Sequence, residues 1–126
     1  MIPIEVLKPI PFFAGMKNED LTEIAHLFFN RRLKGGEVLF KQGTLGDALY
    51  VLQTGTLRVR HQSDQRNSEH TLRYLNPPSS FGEREILSGL RRDVTADVIS
   101  TEATLWFYQK SNWIPFCLFV RRLNTT

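Results

Sequence analysis

The chain is 126 residues long, 41% hydrophobic and 23% charged, one domain's worth of ordinary globular composition that excludes a disordered or fibrous polymer. Lys and Arg number 16 against 13 Asp and Glu, so the net charge is only +3, and no block of like charges marks a nucleic-acid or membrane tail. One cysteine, Cys117, forbids an internal disulfide and suits a reducing compartment. The start, Met-Ile-Pro-Ile-Glu, has neither a basic nor a long apolar stretch, so no signal peptide is expected. WIPFCLFV at 113–120, the longest apolar run, is far shorter than the ~20 residues that span a bilayer. The expectations are a cytoplasmic protein, no membrane insertion and no direct nucleic-acid binding.

In chain order, 1–30 forms a helical lead-in. VLKPIPFFAGM, with two prolines and a glycine, predicts a turn-rich segment that packs Phe12 and Phe13 inward. Asn18 to Phe29 then places Leu21, Ile24, Ala25 and Phe28 at helical spacing, with Leu27 and Phe29 widening the stripe. Asn18 serves as its N-cap, and Glu19 and Asp20 suit the first turn. From Arg31 to about Gln109 the period changes to two. EVLFKQ, ALYVLQ, TLRVRH, TLRYL, TADVIS and ATLWFY read as short strands, separated by GG, GTLGD, TG, SDQRNS and NPPSS. Such spacing favours a sandwich or small barrel over a parallel α/β sheet. EILSGL, at 85–90, reads as one or two helical turns between strands, and a short helix over 111–123 closes the chain. A single domain, 1–126, is expected.

The chemistry of enzymes is thin here. His26, His61 and His70 form no cluster: His26 sits in the helix, while His61 and His70 flank a polar loop, and no His-x-His occurs, so no metal site is expected. GxSxG, a Walker loop and GxGxxG are absent, and Cys117 sits in an apolar segment as a structural thiol. No catalytic residue is assigned, and the chain reads as a non-enzyme.

Glycine placement says more. GEVLFKQGTLGDALYVLQTGTLRV carries glycines 36, 43, 46 and 55 at strand ends. For Gly36 and Gly55 the role of a turn residue suffices, and Gly46-Asp47 suits a turn with an Asx bond. The frame G-E-x-L-F-x-Q-G-x-x-G-D-x-L-Y-V-L-x-x-G-x-L-x-V over Gly36 to Val59, then Phe81-Gly82-Glu83 and an arginine nine residues on, resembles the cyclic-nucleotide-binding domain family. That family includes sensor domains of catabolite-activator-type regulators, regulatory subunits of cyclic-AMP-dependent kinase and cyclic-nucleotide-gated channels. The resemblance implies an eight-stranded jelly-roll β-barrel (a double-stranded β-helix) over 31–109, flanked by helices. It also implies a phosphate-binding cassette within FGEREILSGLRRDV, 81–94.

Residue by residue, the resemblance makes Glu83 the acceptor for a ribose 2′-hydroxyl and Arg92 the partner of a cyclic phosphate. The short helix opening at Arg84 aims backbone N–H groups at the same anion, and Gly82 permits close backbone approach. Val94 closes the cassette, while Val59 and Leu75 are candidates to meet the base. An arginine in that role is expected to contribute little to the core. Two positions depart from the family, which usually has small residues where this chain has Glu85 and Asp93. A carboxylate ~4 Å from a phosphate costs on the order of 1–4 kcal/mol, or roughly one to three decades of affinity. The implied function is a regulatory sensor of a cyclic purine nucleotide. Cyclic AMP is preferred to cyclic GMP, because relatives that favour the latter often carry a hydroxyl at the position of Asp93. Its partner would be an effector domain on a longer chain or a second copy. The alternative is a barrel without nucleotide affinity, serving as an interaction or dimerisation module.

Overall fold

The structure, a computed structural model, describes residues 1–46, 48–63, 69–82 and 91–109. Two short helices, α1 (Ile4–Leu7) and α2 (Asn18–Ala25), flank a 3-10 turn at Pro11–Phe13. Eight strands follow: β1 (Phe29–Lys34), β2 (Val38–Phe40), β3 (Ala48–Thr54), β4 (Leu57–Gln62), β5 (Glu69–Leu75), β6 (Ser79–Phe81), β7 (Thr95–Val98) and β8 (Glu102–Gln109). They form two four-stranded antiparallel sheets, ordered β1-β8-β3-β6 and β2-β7-β4-β5. The chain crosses between sheets at every connection except β4–β5. That crossing pattern is the jelly roll.

Two apolar clusters hold these layers. Between the sheets, Leu33, Tyr50, Leu52, Leu57, Val59, Ala96, Val98 and Leu105 form the barrel interior. On the outer face of the first sheet, Leu49 and Val51 of β3 and Tyr108 of β8 meet Ile2, Leu7, Ile10, Phe13, Leu21, Ile24 and Phe28 from the lead-in. Strand β3 is therefore covered on both sides, and Ala48 through Leu52 are all buried. Its sequence is a continuous apolar run for that reason. In β4 the alternation survives: Leu57 and Val59 are buried, and outward-facing Arg58 makes a bidentate pair with Asp97 of β7 at 3.2 and 2.7 Å.

Several elements differ from the sequence reading. Helix α2 ends at Ala25, and its N-cap is Lys17; Asn18 lies inside the first turn, where its carbonyl accepts a bond from Thr22. Phe29 does not extend the helical stripe: it starts β1 and is 52% exposed. Strands β1 and β6 carried no recognisable alternation. Only Leu33 of FNRRLK is buried, because β1 pairs on one side alone and lines its free edge with charge. Strand β6 is three residues long and sits inside what reads as a turn. Phe13 packs inward as expected. The Phe12 side chain, the cassette helix, Cys117 and the closing helix at 111–123 lie outside the described residues. Among the described residues, no helix is long and apolar enough to cross a membrane.

Candidate functional site

The site starts from the backbone around Arg92. Its N–H donates to the Thr44 carbonyl at 2.6 Å, and its own carbonyl accepts from Gly43 N–H at 2.8 Å. The Arg91 guanidinium adds a bond to the Gly43 carbonyl at 3.0 Å. Thus the glycine-bearing loop between β2 and β3 fixes the strand that carries Arg92 into β7. Part of the glycine frame is in this way tied to the backbone of one residue more than forty positions away.

The Arg92 side chain turns inward. It is 2% exposed, and Nη2 donates to the Ala48 carbonyl at 2.9 Å. Its guanidinium lies 4.3 Å from the Phe40 ring centroid and 5.7 Å from that of Tyr50. Tyr50 stacks on Phe81 at 5.5 Å and 17°, and Phe40 lies 6.1 Å from both rings. Phe40 of β2 and Tyr50 of β3 thus form a floor for the cation, with Phe81 of β6 stacked on Tyr50, an arrangement that suits a planar guanidinium. Here the sequence expectation needs correction. Arg92 is among the largest buried side chains, so it contributes to packing as well as charge.

Gly82 completes the arrangement. Its φ is +97°, and a Cβ there would meet the Ala48 carbonyl at 2.6 Å and Arg92 Nη1 at 2.7 Å. Only glycine lets the end of β6 pass this close to the buried cation. Close approach was the role expected of Gly82, but the group approached in this structure is the arginine.

Beside Arg92 opens a cavity of about 440 Å³. Every sequence-predicted site residue within the described part lines it: Val59, Leu75, Gly82, Arg92, Asp93 and Val94. Val59 and Leu75 are 5% and 8% exposed and form an apolar wall, while Asp93 is exposed at the opening. Glu83, Arg84 and Glu85 lie outside the described residues. Sequence reasoning missed Phe40, Leu72, Arg73 and Ser80 in the lining. Arg73 has a recoverable signal: it is two residues before Leu75, hence on the same strand face, and it pairs directly with Val59. The cavity thus joins an apolar wall to a buried cation, with a second cation on the opposite strand. Such a site suits a flat, partly apolar ligand that carries an anionic group.

Comparison with known proteins identifies the arrangement. The profile of the cyclic nucleotide-binding domain matches residues 30–118. The chain belongs to that family. Among its relatives, the cGMP-dependent protein kinase egl-4 of Caenorhabditis briggsae is 30% identical over 97 residues, covering 77% of this chain and 13% of the kinase. The cyclic AMP receptor protein of Thermus thermophilus is 30% identical over 118 residues, covering 93% of this chain and 52% of that protein. The chain therefore spans about half or less of these relatives' length. The crystal structure of the Thermus thermophilus catabolite activator protein superimposes with a TM-score of 0.78 at 28% identity, over 90% of this chain and 51% of that one. The regulatory domain of Toxoplasma gondii PKA, crystallised with cAMP, has a TM-score of 0.81 at 21% identity, over 89% and 42% of the two chains, and supports the fold alone. The cyclic nucleotide-binding domain is a regulatory, ligand-binding module rather than a catalytic one, and its proteins include both kinases and receptor-type regulators.

Proposed function

We propose that this chain is a ligand-sensing module that takes a cyclic purine nucleotide into the cavity beside Arg92 and passes its occupancy to an effector domain or partner. The observation that carries the reading is a buried guanidinium, held on the rings of Phe40 and Tyr50 beside a cavity of about 440 Å³ with an apolar wall. A cyclic phosphate is a monoanion with acceptors on one face, which matches the donors of arginine. Glu83 is assigned to the ribose 2′-hydroxyl, and backbone groups from Arg84 and Glu85 to the phosphate, on the motif alone. Asp93 lines the same cavity, and a carboxylate facing the phosphate there would weaken its binding.

The choice of base has two arguments in opposition. Asp93, where a hydroxyl would accompany guanine specificity, favours cyclic AMP. Arg73, paired with Val59 in the base-facing wall, favours cyclic GMP. Guanine offers two acceptors, O6 and N7, to a guanidinium, while adenine replaces one with an amino donor. Arg73 lines the cavity beside Val59, and cyclic GMP is therefore the second reading.

Thermal-shift titration with cyclic AMP, cyclic GMP and linear 5′-AMP tests both points. A ligand at one hundred times its Kd stabilises the native state by about 2.7 kcal/mol, so either cyclic nucleotide raises Tm by several degrees while the linear one does not. A larger shift with cyclic GMP that Arg73→Ala erases supports the guanine reading. No shift with any nucleotide would leave the interaction-module alternative.

A further inference from the structure

The β4–β5 hairpin, which supplies part of the cavity wall, holds a second feature outside the lining itself. Its register pairs Arg60 with Thr71, His61 with His70, and Gln62 with Glu69. His61 and His70, nine positions apart in sequence, are direct cross-strand neighbours. Residues so paired project from the same face of the sheet, with Cβ atoms about 4.5–5.5 Å apart. His61 is half-buried and His70 exposed, so the pair stands at the solvent boundary.

The face on which they stand follows from the strand itself. Leu57 and Val59 point into the barrel, while Arg58 and Arg60 point outward, both towards Asp97. His61 continues the inward row, one step past the Val59–Arg73 pair. The two arginines nearest in sequence on β4 are thus on the other face, with their charge directed at a carboxylate. The end of β4 is also pinned: the Gln42 side chain donates to the Gln62 carbonyl at 3.1 Å and accepts from its N–H at 2.9 Å. A tethered strand holds its imidazole in a narrower range of positions than a frayed hairpin end would.

From this juxtaposition we propose that His61 and His70 form a two-imidazole site for a divalent transition-metal ion of the zinc, nickel or copper class. Two imidazoles whose Cβ atoms are this close reach a common ion at the usual metal–nitrogen distance of about 2.0–2.1 Å. Imidazole nitrogen selects these metals over magnesium and calcium, which take oxygen. Water completes the coordination, which makes this an open, moderate-affinity site rather than a closed structural one. Because β4 and β5 also supply Val59, Arg73 and Leu75 to the cavity, a bound ion clips together the two strands of that wall. The proposal does not depend on nucleotide binding.

Isothermal titration of the chain with zinc and with nickel, without nucleotide, tests it. One equivalent binds to the wild type. His61→Ala and His70→Ala each weaken that binding at least about tenfold, since losing a ligand costs no less than losing an outer-shell partner. His26→Ala, at the exposed end of α2, leaves it unchanged. Melting curves of the metal-free variants within a degree or two of the wild type exclude unfolding as the cause. Absence of binding to the wild type at millimolar metal, or binding that survives either hairpin substitution, overturns the proposal.

Discussion

Replacing Gly82 with alanine tests the packing of the site more sharply than removing any charged group. Two costs arise. An L-residue at φ +97° loses about 1–2 kcal/mol from backbone strain alone. The new methyl also lands 2.6 Å from the Ala48 carbonyl and 2.7 Å from Arg92 Nη1. The guanidinium end can swing aside, but the carbonyl belongs to the strand covered on both faces and cannot, so overpacking adds about 1–3 kcal/mol. Gly36→Ala is the control, because its φ is +89° and nothing lies within 4 Å of its would-be Cβ. Strain is common to the two variants; the collision belongs only to Gly82. For a domain of this size each kcal/mol lowers Tm by about 3–5 °C. Calorimetry should show a fall of about 3–10 °C for Gly36→Ala and about 6–25 °C for Gly82→Ala, the second larger by the collision's share of about 3–15 °C. Equal falls in the two variants would refute the claim that Gly82 is glycine because Arg92 and Ala48 are there.

Asp97→Ala removes the carboxylate that Arg58 and Arg60 both approach, at a cost of about 1–2 kcal/mol after allowing for solvent around Arg58. Chemical denaturation measures it, and the loss should shrink with added salt because the lost interaction is largely electrostatic. Alanine at both Glu85 and Asp93 should tighten cyclic-nucleotide binding by roughly one to three decades, read by titration calorimetry. No change in affinity would mean that neither carboxylate approaches the phosphate. Arg92→Lys keeps the charge but loses the planar stack on Phe40, so it should weaken both nucleotide binding and thermal stability. Unchanged affinity and Tm in that variant would contradict the packing role given to the guanidinium.

How much of this was legible beforehand depended on where each residue's constraint came from. Strands β3, β4, β7 and β8 announce themselves because their side chains are buried, on one face or two, and burial writes itself into residue type. Strand β1 does not, since five of its six residues are exposed and its charges guard an edge. The frame of glycines and the Phe81–Glu83 motif pointed to the family and to Arg92, Gly82, Val59 and Leu75. Nothing in a linear reading placed Arg92 on a floor of rings, because Phe40 and Tyr50 come from different strands in different sheets. Arg73 and the His61–His70 pair were hidden for a related reason. Both depend on the register of one hairpin, and for Arg73 a bulge between Val59 and Arg60 also shifts that register by one residue. Counting back from the turn without that bulge would pair Val59 with Leu72 instead of Arg73.

The central claim is that the Arg92 cavity is a cyclic-nucleotide site, and titration calorimetry of wild type and Arg92→Ala with cyclic GMP and cyclic AMP tests it most directly. Because Arg92 is buried, each protein's melting curve is recorded alongside, so that a lost fold is not read as a lost ligand. The account predicts one equivalent of cyclic nucleotide bound by the wild type and none by a folded Arg92→Ala chain. Wild-type binding that persists in that variant, or no binding by the wild type at millimolar nucleotide, would contradict it.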